Sequence, residues 1–182
     1  MSLIIILIGL AADYFSKQWA LGNLVNGETI HLIEGYLDFQ YVENRGAAFG
    51  IFQGNVQILS VISLLIVAAL LTFAIRSKIK GRLFLLAVSL IICGALGNIY
   101  DRLVYGFVVD FIHAHWQNVY HFPTFNVADM CVTIGTALML IYIVWFEEAD
   151  KPVDTKAVTE GNMKADTQVE AEAGGKAEAG KQ

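Results

Sequence analysis

The run from Val56 to Ile75, VQILSVISLLIVAALLTFAI, contains no charged side chain over its whole length. A helix rises about 1.5 Å per residue, so about twenty such residues cross the roughly 30 Å hydrocarbon core of a bilayer. Three further stretches have the same character: Leu3 to about Leu24, broken by Asp13 and Lys17; about Leu83 to Ile99; and about Met130 to Phe146. The first of these lacks a basic flank and a small-residue cleavage site leading into a soluble domain, so it reads as a retained span and not as a removable signal peptide. The composition agrees. Of 182 residues, 56% are hydrophobic and 16% are charged, against about 45–50% and about 25% in soluble domains. The expected fold is an all-α membrane protein with four transmembrane helices and a small β-containing region outside the membrane.

Basic residues in short loops set orientation, because they are retained on the cytoplasmic side. The segment from Arg76 to Arg82, RSKIKGR, carries four bases, whereas the loops before the second span and after the third carry one each, Arg45 and Arg102. The Arg76–Arg82 loop is therefore expected in the cytoplasm, together with both termini. The two long loops, about residues 25–55 and 100–127, are expected on the outer face. One of them has a strand signature: Leu37, Phe39 and Tyr41 alternate with Asp38 and Gln40, a period of two. With Trp116, Tyr120, Phe122 and Phe125 from the other, this suggests structure resting on the membrane surface.

The net charge of −5 belongs mostly to one end. From Glu147 onward there are nine acids and five bases, a net of −4, which leaves −1 for Met1–Phe146. Nothing in that distribution suggests a nucleic-acid surface. The expected organisation is a transmembrane unit over residues 1–146 and an acidic cytoplasmic tail over 147–182. The tail has almost no large apolar residue after Val153, and is expected to be disordered because it cannot offset its ordering entropy. Cys93 and Cys131 lie inside apolar runs and read as packing residues.

Ionisable groups at membrane depth cost at least about 2.5–3.5 kcal/mol each, so each needs a reason. Asp13 and Lys17 are four residues apart and share a helix face, as a structural ion pair would. Gly94 and Gly97 clear a helix face for close contact, and Asn98 and Arg102 form a polar stripe beside Asp101. Asp110 and Asp129 differ from these. Each stands among apolar neighbours, with no base within four positions. Two carboxyls brought together cannot both ionise comfortably, so one keeps a proton near neutral pH. Such a pair can hydrolyse a peptide, the ionised member activating water and the protonated one polarising the carbonyl. Helix capping by both, or proton relay in a small proton-coupled transporter, uses the same residues, as does a non-catalytic assembly subunit glued by polar contacts. There is no Gly-x-Ser-x-Gly elbow, His-Glu-x-x-His pair or Walker loop. His113, His115 and His121 cluster in the outer loop, and His113 and His115 could share a metal on a strand; with no Cys or Glu beside them they read as interfacial polar residues, and no metal and no cofactor is expected.

Four blocks together carry a resemblance: Asp13-x-x-x-Lys17; Asn44-Arg-Gly-Ala-Ala-Phe49; Gly94-x-x-Gly-Asn-x-x-Asp-Arg102 with Val108-Val-Asp-Phe111; and Phe125-Asn-Val-Ala-Asp129. In order, spacing and placement against four spans, over about residues 3–146, the chain resembles the bacterial lipoprotein signal peptidases, or signal peptidase II. The resemblance implies an aspartyl endopeptidase of the bacterial inner membrane, acting as a monomer without cofactor. It would remove signal peptides from diacylglyceryl-modified prolipoproteins just before the lipidated cysteine. It implies Asp110 and Asp129 as catalytic, with Asn44, Gly46, Asn98, Arg102 and Asn126 around the substrate. Asp13, Lys17 and Asp101 match scaffold positions. A Gly-Gly pair opens the third block in the family, where this chain has Cys93-Gly94, a change expected to affect helix packing only.

Substrate would then arrive by moving within the bilayer lipid, and Gly46-Ala47-Ala48 would give extended substrate a close path. One further expectation comes from the residues themselves. Asn126-Val-Ala-Asp129 has capping-box spacing, so a helix starting there would favour ionised Asp129 as the initial base and leave the proton on Asp110.

Overall fold

The computed structural model describes residues 2–46, 54–76, 79, 81–117 and 119–145. Ala47 and Ala48 of the proposed substrate path, Ser77, Lys78 and Lys80 of the basic loop, and the acidic tail lie outside those residues. Four helices run through the described chain: α1 Ser2–Asn23, α2 Val56–Arg76, α3 Arg82–Val104 and α4 Val127–Trp145. All four are long and apolar enough to cross a membrane. Between them lie β1 Ile30–Ile33, β2 Leu37–Asn44, β3 Val108–Trp116 and β4 Tyr120–His121, paired antiparallel in chain order. The strand expected around Tyr36–Val42 is β2.

Two boundaries differ from the expectation, and both bear on chemistry. The third span was drawn to Ile99, but α3 continues to Val104 and takes Asp101 and Arg102 with it. It can continue because these polar groups find partners inside the protein. The fourth span was drawn from Met130, but α4 begins at Val127, which puts Asp129 in its first turn. There Asn126 caps the helix: its Oδ1 accepts from the Asp129 amide at 2.9 Å, and its own amide donates to Asp129 Oδ2 at 3.2 Å. These reciprocal bonds satisfy amides that a helix start leaves unpaired.

Helix α3 is the centre of the bundle, packing against α1, α2 and α4. Its contact with α4 is close because Gly94 lies against the backbone of Ala128, and Gly135 of α4 lies against Ala87 and Ile91. Gly97 gives room to Asp13 of α1. At Cys93, where the family has glycine, Gly9 of α1 supplies the missing space: a Cβ there would stand 2.6 Å from the Cys93 sulfur. Toward one end of the bundle, Val67, Phe84, Val88, Ile92 and Tyr142 form an apolar cluster. At the other, Ala20 and Leu24 of α1 pack with Val109 and Phe111, and Trp19, Phe39 and Phe111 meet edge to face. The sheet is thereby fixed to the end of the helices opposite the Arg76–Arg82 connection.

Candidate active site

Asp110 is placed by four constraints on the backbone. Gly106, at φ 76°, follows the last turn of α3 in the left-handed conformation that glycine adopts freely, and its amide donates to the Arg102 carbonyl. The chain reverses there, and the Val109 amide donates to Asp101 Oδ2 at 3.0 Å, tying the start of β3 to the end of α3. Antiparallel pairing then sets Val42 opposite Asp110 and Asn44 opposite Val108. A bridge between Ile112 and Phe125 brings the segment before α4 alongside β3. Four parts of the sequence thus converge on one carboxyl.

Asn126 joins the two aspartates. Its Nδ2 donates to Asp110 Oδ1 at 2.7 Å, while its main chain and Oδ1 hold Asp129 as the cap described above. Asn44 Nδ2 donates to Asp110 Oδ2 at 2.9 Å, and Asn98 Nδ2 donates to Asp129 Oδ1 at 2.8 Å. Every one of these bonds fixes a carboxyl orientation, leaving the pair little freedom. Burial, and after it the charge of Asp129, push the Asp110 carboxyl from 3.8 up to about 7, although the Asn44 and Asn126 donors oppose the change. At neutral pH Asp110 is therefore part protonated.

A second layer lies behind. Lys17, 1% exposed, donates from Nζ to Asp13 Oδ2 at 2.8 Å, Asp101 Oδ2 at 2.9 Å and Asn98 Oδ1 at 3.1 Å. Asp13 Oδ1 accepts from the Ala128 amide at 2.8 Å, so α1 also caps α4. The pairing of Asp13 with Lys17 read from their spacing is present, but Lys17 is the hub of a larger network that reaches Asp129 through Asn98. Sequence spacing missed Asp101 as the second carboxylate on Lys17, since it lies on another helix.

A cleft of about 820 Å³ opens over the aspartates, lined by Asp110, Asp129, Asn44, Gly46, Asn98 and Arg102 on its polar side. Its other walls are largely apolar, from Val42, Val108, Phe122, Phe125, Met130 and Ile134. Asn126, expected with the substrate-binding residues, is 0% exposed and lies beneath the carboxyls, not on the cleft wall. Phe122 and Phe125 meet edge to face at 5.8 Å at the cleft wall. Trp116 and Tyr120 are exposed.

The family model described as "Signal peptidase (SPase) II" matches residues 5–145. A lipoprotein signal peptidase of Clostridium novyi is 44% identical over 144 residues, covering 79% of this chain and 97% of the relative. One of Serratia proteamaculans is 42% identical over 141 residues, covering 75% and 82%. A solved bacterial membrane enzyme, determined by the in meso method at 2.3 Å resolution, superposes with a TM-score of 0.73 at 34% identity, over 79% of this chain and 87% of the other. The transporter reading receives no support from these matches. With four spanning-length helices and this likeness to bacterial membrane enzymes, the chain is a bacterial membrane protein, and it belongs to the signal peptidase II family.

Proposed function

We propose that this protein is the aspartyl endopeptidase that removes signal peptides from diacylglyceryl-modified prolipoproteins, with Asp110 and Asp129 as its catalytic pair. The observation that carries the proposal is the pair itself: two carboxyls joined through one buried asparagine, at the floor of a largely apolar cleft, in a chain of this family. Asp129 lies in the first turn of α4, where the positive end of the helix dipole and the two hydrogen bonds its carboxyl accepts, from Asn98 Nδ2 and the Asn126 amide, favour its ionised form. Asp110 carries the proton.

The steps follow from those states. Asp129 takes a proton from water, whose oxygen attacks the carbonyl carbon, while Asp110 gives its proton to the carbonyl oxygen. The resulting diol collapses as the carbon–nitrogen bond breaks. Asp129 delivers its proton to the leaving amine of the lipidated cysteine, and Asp110 recovers its own from the diol hydroxyl. Asn44 and Asn98 hold the carboxyls, Asn126 positions both, and Arg102 and the Gly46 backbone stand where an extended peptide can be held. The apolar cleft walls suit a substrate of signal helix and acyl chains delivered from the bilayer. The site lies at the sheet end of the helices, away from the basic Arg76–Arg82 loop, and so faces outward with both termini in the cytoplasm.

The test is cleavage of a diacylated lipobox peptide by purified protein. Asp110→Asn and Asp129→Asn should each lower kcat by about 10²–10⁴-fold or more with the fold intact. Full-rate cleavage by either variant, once well folded, would remove the pair from the mechanism.

A further inference from the structure

On the face of the sheet opposite Asp110, four strands bring together a set of side chains that peptide cleavage does not use. The pairing sets His31 of β1 opposite Asp38 of β2, Asp38 opposite His113 of β3, and His115 opposite His121 of β4. Directly paired residues share a face, as do residues two apart on one strand, so all five line the same side. We propose that Asp38, His113 and His115 form a binding site for one divalent transition-metal cation of the zinc type, a site that does not depend on the peptidase reading.

Three observations carry it. The ligand atoms of these three residues lie within 4.8 Å of one another. Asp38 Oδ2 stands 3.0 Å from His115 Nε2 and 3.9 Å from His113 Nδ1, which brackets the roughly 3.3 Å between neighbouring ligands of a tetrahedral ion bound at about 2.0–2.1 Å. Both of those ring nitrogens are buried; His113 Nδ1 has no hydrogen-bond partner among the described residues, and His115 Nε2 faces only the Asp38 carboxylate.

The second observation is tautomeric. His115 Nδ1 lies 3.0 Å from the Gln117 carbonyl, which can only accept. That nitrogen therefore carries the hydrogen, and in the tautomer with no second hydrogen the lone pair of Nε2 turns toward a carboxylate oxygen. Two acceptors facing each other call for a cation between them. An imidazolium at His115 would answer this one contact but would leave His113 Nδ1 unanswered, whereas a metal ion answers both.

The third is the outer layer. Each candidate ligand has its remaining polar atom held by a neighbour: Asp38 Oδ1 by His31 Nδ1 at 2.7 Å, His113 Nε2 by His121 Nδ1 at 3.2 Å, and His115 Nδ1 by the Gln117 carbonyl. Partners of this kind orient metal ligands and fix their tautomers. Two imidazoles and one carboxylate suit zinc and its neighbours better than magnesium or calcium, which take mainly oxygen. Such an ion would tie β2 to β3 and leave a fourth position for water.

The full-length protein, made without a polyhistidine tag, stripped with chelator, reloaded with zinc and desalted in detergent, should retain one zinc per chain. Cobalt(II) in its place should give the intense visible absorption of a tetrahedral site. Asp38→Asn, His113→Gln and His115→Gln should each weaken zinc binding by at least about tenfold, as should loss of the outer partner in His31→Ala. Zinc should raise the unfolding temperature of wild type and leave that of the folded double variant His113→Gln/His115→Gln unchanged. Wild type that holds no zinc at micromolar concentration overturns the proposal. So does a double variant that binds zinc as tightly, or a site that prefers magnesium or calcium.

Discussion

Asn44 shows how a single side chain tunes the pair. Its Nδ2 donates to Asp110 Oδ2, a bond that favours the ionised carboxyl against the burial and Asp129 charge that push it up to about 7. Catalysis by a pair sharing one proton fails when that proton leaves, so kcat/KM should fall as pH rises through about 7. Asn44→Ala removes a bond that lowers the pKa, so the alkaline limb should move to higher pH while the maximal rate falls. A rate profile whose limb moves down, or stays in place, would separate Asn44 from the titrating group. The same proton enters stability with a definite sign. Because the folded carboxyl is raised from 3.8, its contribution is present in full below 3.8 and is lost as pH rises through about 7. The isolation of Asp110 and Asp129 among apolar neighbours was legible in the sequence, but their proximity was not. It depends on the β2–β3 register and the Ile112–Phe125 bridge, contacts between residues far apart in the chain. The four-block resemblance supplied what spacing alone left open. No such pattern pointed to Asp38 beside His113 and His115, because the carboxylate sits on a different strand.

At the scale of the elements, Lys17 holds three helices in register around the site. It meets Asp13 on its own helix and Asp101 and Asn98 on α3, while Asp13 caps the α4 amide of Ala128. Removing the ammonium leaves two buried carboxylates facing one another without a cation. Lys17→Met should therefore destabilise the protein by about 3–5 kcal/mol, whereas a change that removes both charge signs together should cost less. Thermal unfolding in detergent reads this directly, with Lys17→Met/Asp13→Asn as the comparison; equal losses in the two variants would show that charge balance is not the reason. The glycines work at the same scale. A methyl at Gly94 would meet the Ala128 carbonyl, a backbone atom that cannot rotate away. Gly94→Ala should force α3 from α4, cost about 1–3 kcal/mol, and lower kcat by moving Asn98 relative to Asp129. Four spans could be read from apolar length, and the role of Gly94 and Gly97 from their position. The ends of α3 and α4 could not, since hydropathy stops at the first polar residue. The helices continue wherever Asp101, Arg102 and Asp129 find partners in the folded protein.

For the molecule as a whole, the orientation we propose makes the charge of one short loop decide on which side of the membrane the chemistry occurs. Helices α2 and α3 are joined through Arg76–Arg82, and the strands connect the opposite helix ends, so a single orientation places the basic loop and the catalytic pair on different sides. Four bases in that loop against one in each outer loop favour its retention in the cytoplasm, and substrates whose cut lies near the outer membrane face require the same placement. A cysteine introduced at Ile79 should react with a membrane-impermeant maleimide only after cells are opened. One introduced at Val119, an 81%-exposed position between β3 and β4, should react in intact cells. The native thiols, Cys93 and Cys131, sit within α3 and α4 and can be replaced by serine beforehand as the background for both. Exchanging the four loop bases for glutamine removes the asymmetry and should yield a population labelled at both positions, with prolipoprotein cleavage falling in proportion to the inverted fraction. If Ile79 is labelled in intact cells carrying the natural loop, the basic segment does not set the orientation. The cleft would then open toward the side where signal peptides are made and not the side where they are removed.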